Sequence, residues 1–160
     1  MRAHRLLLVL VAFCLTMPAA ARGQDVLTEV SAKRMTKILS SMGLEVQETK
    51  TTSDGRNPVI RFELGGYRVL MFLASDLTDA QLYVGFRERK IAPETMNEWN
   101  RDHRFSRAYR DKDGDSVLES DIDFTGGVTE ANIKSWVRIF RNATGEYSKF
   151  LNTMAVSDRS

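Results

Sequence analysis

The chain has 160 residues, 28% of them charged and 42% hydrophobic, with a single cysteine. This length accommodates one folded domain, and one cysteine excludes both a disulfide framework and a zinc site built from several thiolates. The 23 basic residues against 21 acidic ones give no excess of positive charge of the kind that nucleic-acid-binding proteins carry.

Residues 1–21 have the pattern of a secretory signal peptide. Arg2 and Arg5 precede an apolar run over 6–15, and Ala19-Ala20-Ala21 supplies the small residues that signal peptidase requires. The apolar run is shorter than the roughly 20 residues of a membrane-spanning helix. We therefore expect cleavage after Ala21, or alternatively after Gly23, and a periplasmic or secreted protein that is not bound to the membrane.

Cleavage at either position would also change the composition of the chain. The only cysteine, Cys14, would leave with the signal peptide, together with Arg2 and Arg5. The remaining chain is then nearly neutral and without thiol chemistry. For this part we predict one α+β domain over residues 24–155, followed by a flexible tail over 156–160.

The domain begins with a predicted helix from Asp25 to Met42, which ends at Gly43. Its apolar residues share one side of the helix and its basic residues lie largely opposite. The apolar period then changes to two, which predicts a strand from Leu44 to about Thr49.

Two further strands form a predicted hairpin. Val59–Leu64 and Tyr67–Leu73 flank Gly65-Gly66, a pair that suits the positive φ angles of a two-residue turn. This turn sets Leu64 opposite Tyr67. The strand Tyr67–Leu73 is apolar on both sides, which predicts a central position in the sheet. Another strand is predicted over Ala80–Arg87.

The second half of the chain alternates helices and strands. Pro93 marks the first turn of a short helix that carries Met96, Trp99 and His103 on one face. A second hairpin is predicted over Arg104–Phe124, and a long helix from a Thr129 N-cap to about Met154. The order of elements predicts an antiparallel sheet packed by N- and C-terminal helices.

The second hairpin contains the most acidic stretch of the chain, residues 111–123. The spacing does not match an EF-hand loop, because Ser116 and Ile122 stand where that loop needs Gly and Glu. We predict instead a two-residue turn at Asp113-Gly114 that sets Tyr109 opposite Leu118. In that register the carboxylates lie on a solvated face opposite basic residues. A cation site is the alternative interpretation.

Candidate catalytic residues are few. His103 is the only histidine beyond the predicted signal peptide, and packing near Trp99 is a better interpretation than catalysis, since no nucleophile accompanies it. We find no phosphate-binding glycine motif and no His/Cys metal spacing. The sequence therefore predicts that the protein is not an enzyme and that it uses no cofactor and no metal.

The stretch from Met96 to Leu151 resembles the YbjN-like family of bacterial sensory transduction regulators. The resemblance rests on these segments: Asn97-Glu98-Trp99-Asn100, Arg104-Phe105, Ala108-Tyr109, Asp113-Gly114, Leu118-Glu119-Ser120-Asp121, Gly126-Gly127-Val128-Thr129 and Phe150-Leu151. It implies a fold similar to type III secretion chaperones, which are often dimeric and bind other proteins. It attaches no catalytic residues to the chain.

These observations predict an exported, non-catalytic, protein-binding or regulatory domain that acts in sensory transduction or stress response. Its candidate protein-interaction face consists of Val59, Leu70, Phe72 and Trp99, and its partner is an unidentified protein or a second copy in a homodimer. In the alternative packing, Trp99 and Met96 cover that face. The alternative function is a periplasmic sensor that responds to a small molecule or a cation.

Overall fold

The structure is a computed structural model that describes residues 25–53, 55–87 and 91–157. The predicted signal peptide lies outside these residues. In chain order the elements within them are β1 (Val26–Leu27), α1 (Ala32–Ser41), β2 (Val46–Thr51), β3 (Pro58–Leu64), β4 (Tyr67–Leu73), β5 (Asp79–Phe86), α2 (Pro93–Asp102), β6 (Arg107–Arg110), β7 (Ser116–Asp123), β8 (Val128–Thr129) and α3 (Glu130–Ser157). The predicted α+β class is confirmed.

Among the described residues, six strands form one antiparallel sheet in the order β2-β3-β4-β5-β7-β6. The predicted first hairpin is confirmed in its register, with Leu64 opposite Tyr67 and Ile60 opposite Met71. Gly65 and Gly66 have φ angles of 63° and 86°, which a Cβ atom would disfavour. The predicted central position of β4 is also confirmed.

The helices cover one face of this sheet. Met35 and Leu39 of α1 and Val137 and Phe140 of α3 pack into one core with the inward residues of the strands, which include Ile60, Phe62, Met71 and Leu82. Each of these side chains is fully buried, and burial of one such side chain stabilises a fold by about 1.5–3 kcal/mol.

The first helix begins later than the sequence predicts. Ser31 is its N-cap, and the Ser31 side chain accepts a hydrogen bond from the backbone N–H of Arg34. The preceding residues form β1, in which Val26 pairs with Thr129 and Leu27 with Val128 of β8. The apolar residues near the start of the predicted helix thus belong to a short second sheet instead.

The long helix begins where the sequence predicts. Thr129 and Asn132 form a reciprocal cap: the Thr129 hydroxyl accepts from the Asn132 N–H, and the Asn132 side chain accepts from the Thr129 N–H. The helix continues through Ser157, into the segment predicted as a flexible tail.

The second hairpin has a register one residue away from the predicted one. Ala108 lies opposite Leu118 and Tyr109 opposite Val117. The cause is a three-residue loop in place of a two-residue turn: the Asp111 N–H donates to the Asp115 carbonyl, and Gly114 has a φ of 82°. A shift of one residue moves every side chain of a strand to the other face, so the predicted pairs of opposite charge do not form.

Candidate functional site

One face of the six-stranded sheet carries none of the described helices, and we call it the open face. Strand alternation places on it the side chains of Val59, Arg61, Glu63, Arg68, Leu70, Phe72, Gln81, Tyr83, Val117, Glu119, Asp121, Arg107 and Tyr109. None of these hydrophobic residues belongs to the core beneath the helices. The side chains of the open face therefore contact one another rather than the core beneath the helices.

An apolar stripe crosses the middle of the open face. Val59, Leu70 and Phe72 are all partly exposed, and they occupy adjacent strands, with Val59 directly opposite Phe72. The Phe72 ring meets the edge of Tyr83 with centroids 6.1 Å apart, a geometry that aromatic pairs prefer. Three of the four residues predicted for the interaction face thus lie together.

Trp99 does not lie with them. It is 1% exposed and packs on the helix side of the sheet, with its ring centroid 4.8 Å from that of Tyr147 and 5.6 Å from that of Phe150. Met96 is buried in the same core. The alternative packing, in which these two residues cover the open face, is therefore wrong.

His103 packs near Trp99 as predicted. Its ring stacks on the Trp99 indole with centroids 3.5 Å apart, and its Nδ1 lies 3.1 Å from the Trp99 carbonyl oxygen. Next to it, Phe105 has a φ of 63° and is 64% exposed. This conformation is unfavourable for a residue with a bulky side chain.

Glu119 is the most buried acid of the described part of the open face. It is 2% exposed, lies between Tyr83 of β5 and Arg107 of β6, and forms an ion pair with Arg107. Burial raises the pKa of Tyr109 well above its ordinary value, and the negative charge of Glu119 adds to that effect. This acid was expected on a solvated face, and the one-residue difference in register places Arg107 directly opposite it.

The other predicted acids are held by their neighbours. The Asp111 carboxylate accepts hydrogen bonds from the N–H groups of Asp113 and Asp115 and so fixes the loop. Asp121 accepts from the Gln81 amide, and Asp123 accepts from both the hydroxyl and the N–H of Thr125. These bonds lower the pKa of Asp123.

The loop over 111–115 borders a depression on the open face with a volume of about 500 Å³. Arg61, Arg68 and Arg87 line it together with three loop aspartates, and Leu70, Tyr83 and Gly85 complete the lining. Burial raises the pKa of Tyr83, and the negative charges of Asp111 and Asp115 raise it further. The carboxylates of the 111–115 loop are therefore close enough to Tyr83 to influence the ionisation of its hydroxyl.

The amino-acid sequence does not predict this depression. Its residues come from three strands and one loop that are distant in the chain, and only the sheet order brings them together. The available indication was Gly85, because a glycine inside a strand pattern often marks a place where another group approaches the backbone closely.

Two further observations bear on the chemistry of the described residues. No group of three or more His, Cys, Asp or Glu side chains among them is arranged to hold a metal ion. No helix of this part of the chain combines the length and the apolar character that crossing a membrane requires.

Comparison with known proteins gives a family. The sequence profile of the YbjN family, described as "Putative bacterial sensory transduction regulator", matches residues 31–152. No curated protein and no solved structure matches the chain, so the resemblance to type III secretion chaperones stays a prediction. The match covers α1 through most of α3, and therefore nearly the whole described domain. The chain therefore belongs to the YbjN family.

Proposed function

We propose that the protein is an exported, non-catalytic regulator that binds another protein through the open face of its sheet. The observation that carries this proposal is the stripe of Val59, Leu70 and Phe72, which none of the described helices covers. Contiguous exposed apolar surface with a charged rim is typical of protein-binding sites. Family membership supports the regulatory role.

The surroundings of the stripe suit a docking surface. Arg61 and Arg68 lie on one side of it, and Glu119 and Asp121 lie across β5 on the other. Protein interfaces place an apolar centre, often with aromatic residues, inside a rim of polar groups. Leu70, Phe72 and Tyr83 supply such a centre, and the charges around it supply the rim that selects a partner.

Support for a non-catalytic role comes from the titratable groups. His103 is engaged in a stack on Trp99, and Glu119 is paired with Arg107. General acid–base catalysis needs such groups aimed at a substrate and able to exchange a proton with it. The bonded acids of the open face serve the fold instead.

Affinity capture with surface variants tests the protein-binding proposal. Leu70→Asp places a charge in the stripe, and we expect it to abolish capture of envelope proteins while the circular dichroism spectrum stays that of the wild type. Ile139→Asp is the matched control, because Ile139 is 37% exposed on α3, away from the open face. Unchanged partners and unchanged oligomeric state in folded Leu70→Asp would contradict the proposal.

Export is tested separately, by cell fractionation and N-terminal sequencing. We expect a periplasmic or secreted product whose first residue is Arg22, or Gln24 if cleavage follows Gly23. Recovery of the full-length chain from the cytoplasm would remove export from the proposal.

A second candidate function is a sensor for a small molecule or a cation. The depression beside the 111–115 loop favours it, since its volume of about 500 Å³ lies in the range of ligand pockets. The arginines in its lining favour an organic ligand over a metal cation. Thermal shift measurements with a panel of metabolites and divalent ions test this function, and no shift with any compound would argue against it.

A further inference from the structure

The depression on the open face has two walls of opposite charge. Arg61 and Arg68, of β3 and β4, form the basic wall on one side of β5. The facing wall is the 111–115 loop with its three aspartates. The third arginine of the lining, Arg87, follows Phe86, which pairs with Ser116, and so lies beside the loop.

Hydrogen bonds within the 111–115 loop hold the acidic wall in a defined conformation. Asp111 is committed to the loop backbone through two hydrogen bonds of 3.0 and 2.9 Å. These bonds hold the loop, and Asp113 is exposed at its tip. An ordered loop offers a charge in a fixed place, which reduces the entropy that a ligand must overcome.

The floor between the walls is flat and apolar. Gly85 has no side chain there, and a Cβ atom at that position would lie 3.5 Å from the Tyr83 hydroxyl. Leu70 and the Tyr83 ring provide contact for carbon atoms, and the hydroxyl can donate a hydrogen bond. The floor therefore suits a short, weakly apolar group that bears a charge at each end.

We infer that this depression binds a small zwitterionic molecule of the amino acid or short peptide class. Its carboxylate lies against the arginine wall, and its ammonium group lies against the aspartates of the loop. Arginine forks pair well with carboxylates, and a primary ammonium donates to carboxylate oxygens. A molecule with only one kind of charge is repelled by the wall of its own sign. This inference rests on the sensor function and gives it a ligand class.

Calorimetry with one peptide in three charge forms tests the inference on the purified protein. The probes are alanyl-alanine with free ends, its N-acetyl derivative and its C-terminal amide. We expect the free dipeptide to bind and each blocked form to bind at least about tenfold more weakly, because each loses one charged contact. In amide NMR spectra, the signals of Gly85 and Gly114 should move with the free dipeptide.

Variants assign the binding to the two walls. Arg68→Ala and Asp113→Asn should each weaken binding of the free dipeptide at least about tenfold. Arg138→Ala is the matched control, since Arg138 is exposed on α3 and its removal should leave binding unchanged.

Two results would overturn the inference in distinguishable ways. Equal binding of the N-acetyl derivative would show an anion site, which refutes the zwitterion but keeps the sensor function. No binding of any form at millimolar concentration, or full binding by both wall variants, would refute a peptide-class ligand in this depression. Neither result depends on the capture experiment with Leu70→Asp.

Discussion

At the scale of single residues, the pair of Glu119 and Arg107 shows how the open face gains order. Glu119 has only 3% of its side chain exposed, whereas Arg107 has 67% exposed. A buried carboxylate is costly unless a cation or a hydrogen-bond donor compensates it. Arg107 compensates it from the edge strand, with its guanidinium 5.8 Å from the centre of the Tyr109 ring.

Replacement of that carboxylate should be visible in the titration of Tyr109. The Glu119 charge raises the pKa of Tyr109 in addition to burial, so Glu119→Gln should lower it. An alkaline absorbance titration of the tyrosines should then show one ionisation step moving to lower pH. Asp121→Asn removes one charge from the same strand and should leave the pKa of Tyr109 unchanged. An unchanged pKa of Tyr109 in Glu119→Gln would contradict an effect of the Glu119 charge on this tyrosine.

Phe105 is a second residue with a consequence for stability. Its φ of 63° is costly with a Cβ atom present and free of that cost with glycine. We expect Phe105→Gly to be more stable than Phe105→Ala by about 1 kcal/mol, although glycine usually destabilises. Both variants lose the ring and its contact with Arg104, so urea denaturation of the pair isolates the backbone effect. A less stable glycine variant would refute the strain.

At the scale of elements, the turn between β3 and β4 gives a direct test of the hairpin. Gly66 has a φ of 86°, and a Cβ atom at this position would lie more than 4 Å from its described neighbours, so Gly66→Ala costs conformational energy without a steric clash. We expect a loss of about 1 kcal/mol in the free energy of unfolding. Gly126→Ala is the matched control, because it also faces open space and has no positive φ, and its effect should stay within about 0.5 kcal/mol. Equal effects would contradict this account.

The two hairpins show what local sequence can and cannot predict. Gly65-Gly66 permits one tight turn, so its register followed directly. Asp113-Gly114 also suits a two-residue turn, but Asp111 accepts hydrogen bonds from two loop N–H groups and widens the loop to three residues. The competing Asx interaction decided the register, and alternation of residue types alone did not reveal it.

The candidate site was predictable only in part, for a related reason. Val59, Leu70 and Phe72 belong to one hairpin, so their shared face followed from its register. Trp99 is separated from them by a connection whose path the sequence does not specify, and the structure places it in the helix core. The depression depends on the position of β7 between β5 and β6, an order that no local pattern encodes.

At the scale of the whole molecule, the tyrosines predict an alkaline limit to stability. Burial raises the pKa of Tyr83, Tyr109 and Tyr147, so the fold favours their neutral forms. The unfolded chain ionises them near pH 10. Above that pH the unfolded state releases protons first, and stability therefore falls as pH rises.

Urea midpoints measured at pH 8, 10 and 11 should show this limit. We expect a lower midpoint at pH 10 than at pH 8 and a still lower one at pH 11, because the unfolded tyrosines are about half ionised at pH 10. Tyr147→Phe removes one buried ionisable group and should reduce the decline relative to the wild type. A midpoint that does not change up to pH 11 would contradict the prediction.

The pairing of β1 with β8 has a consequence for the timing of folding. Val26 and Thr129 pair with each other in space but are about 100 residues apart in the sequence. The nascent chain cannot pair β1 with β8 until residue 129 has left the ribosome. Most of the polypeptide is therefore synthesised before β1 can dock. The N-terminal strand therefore stays undocked until late in synthesis.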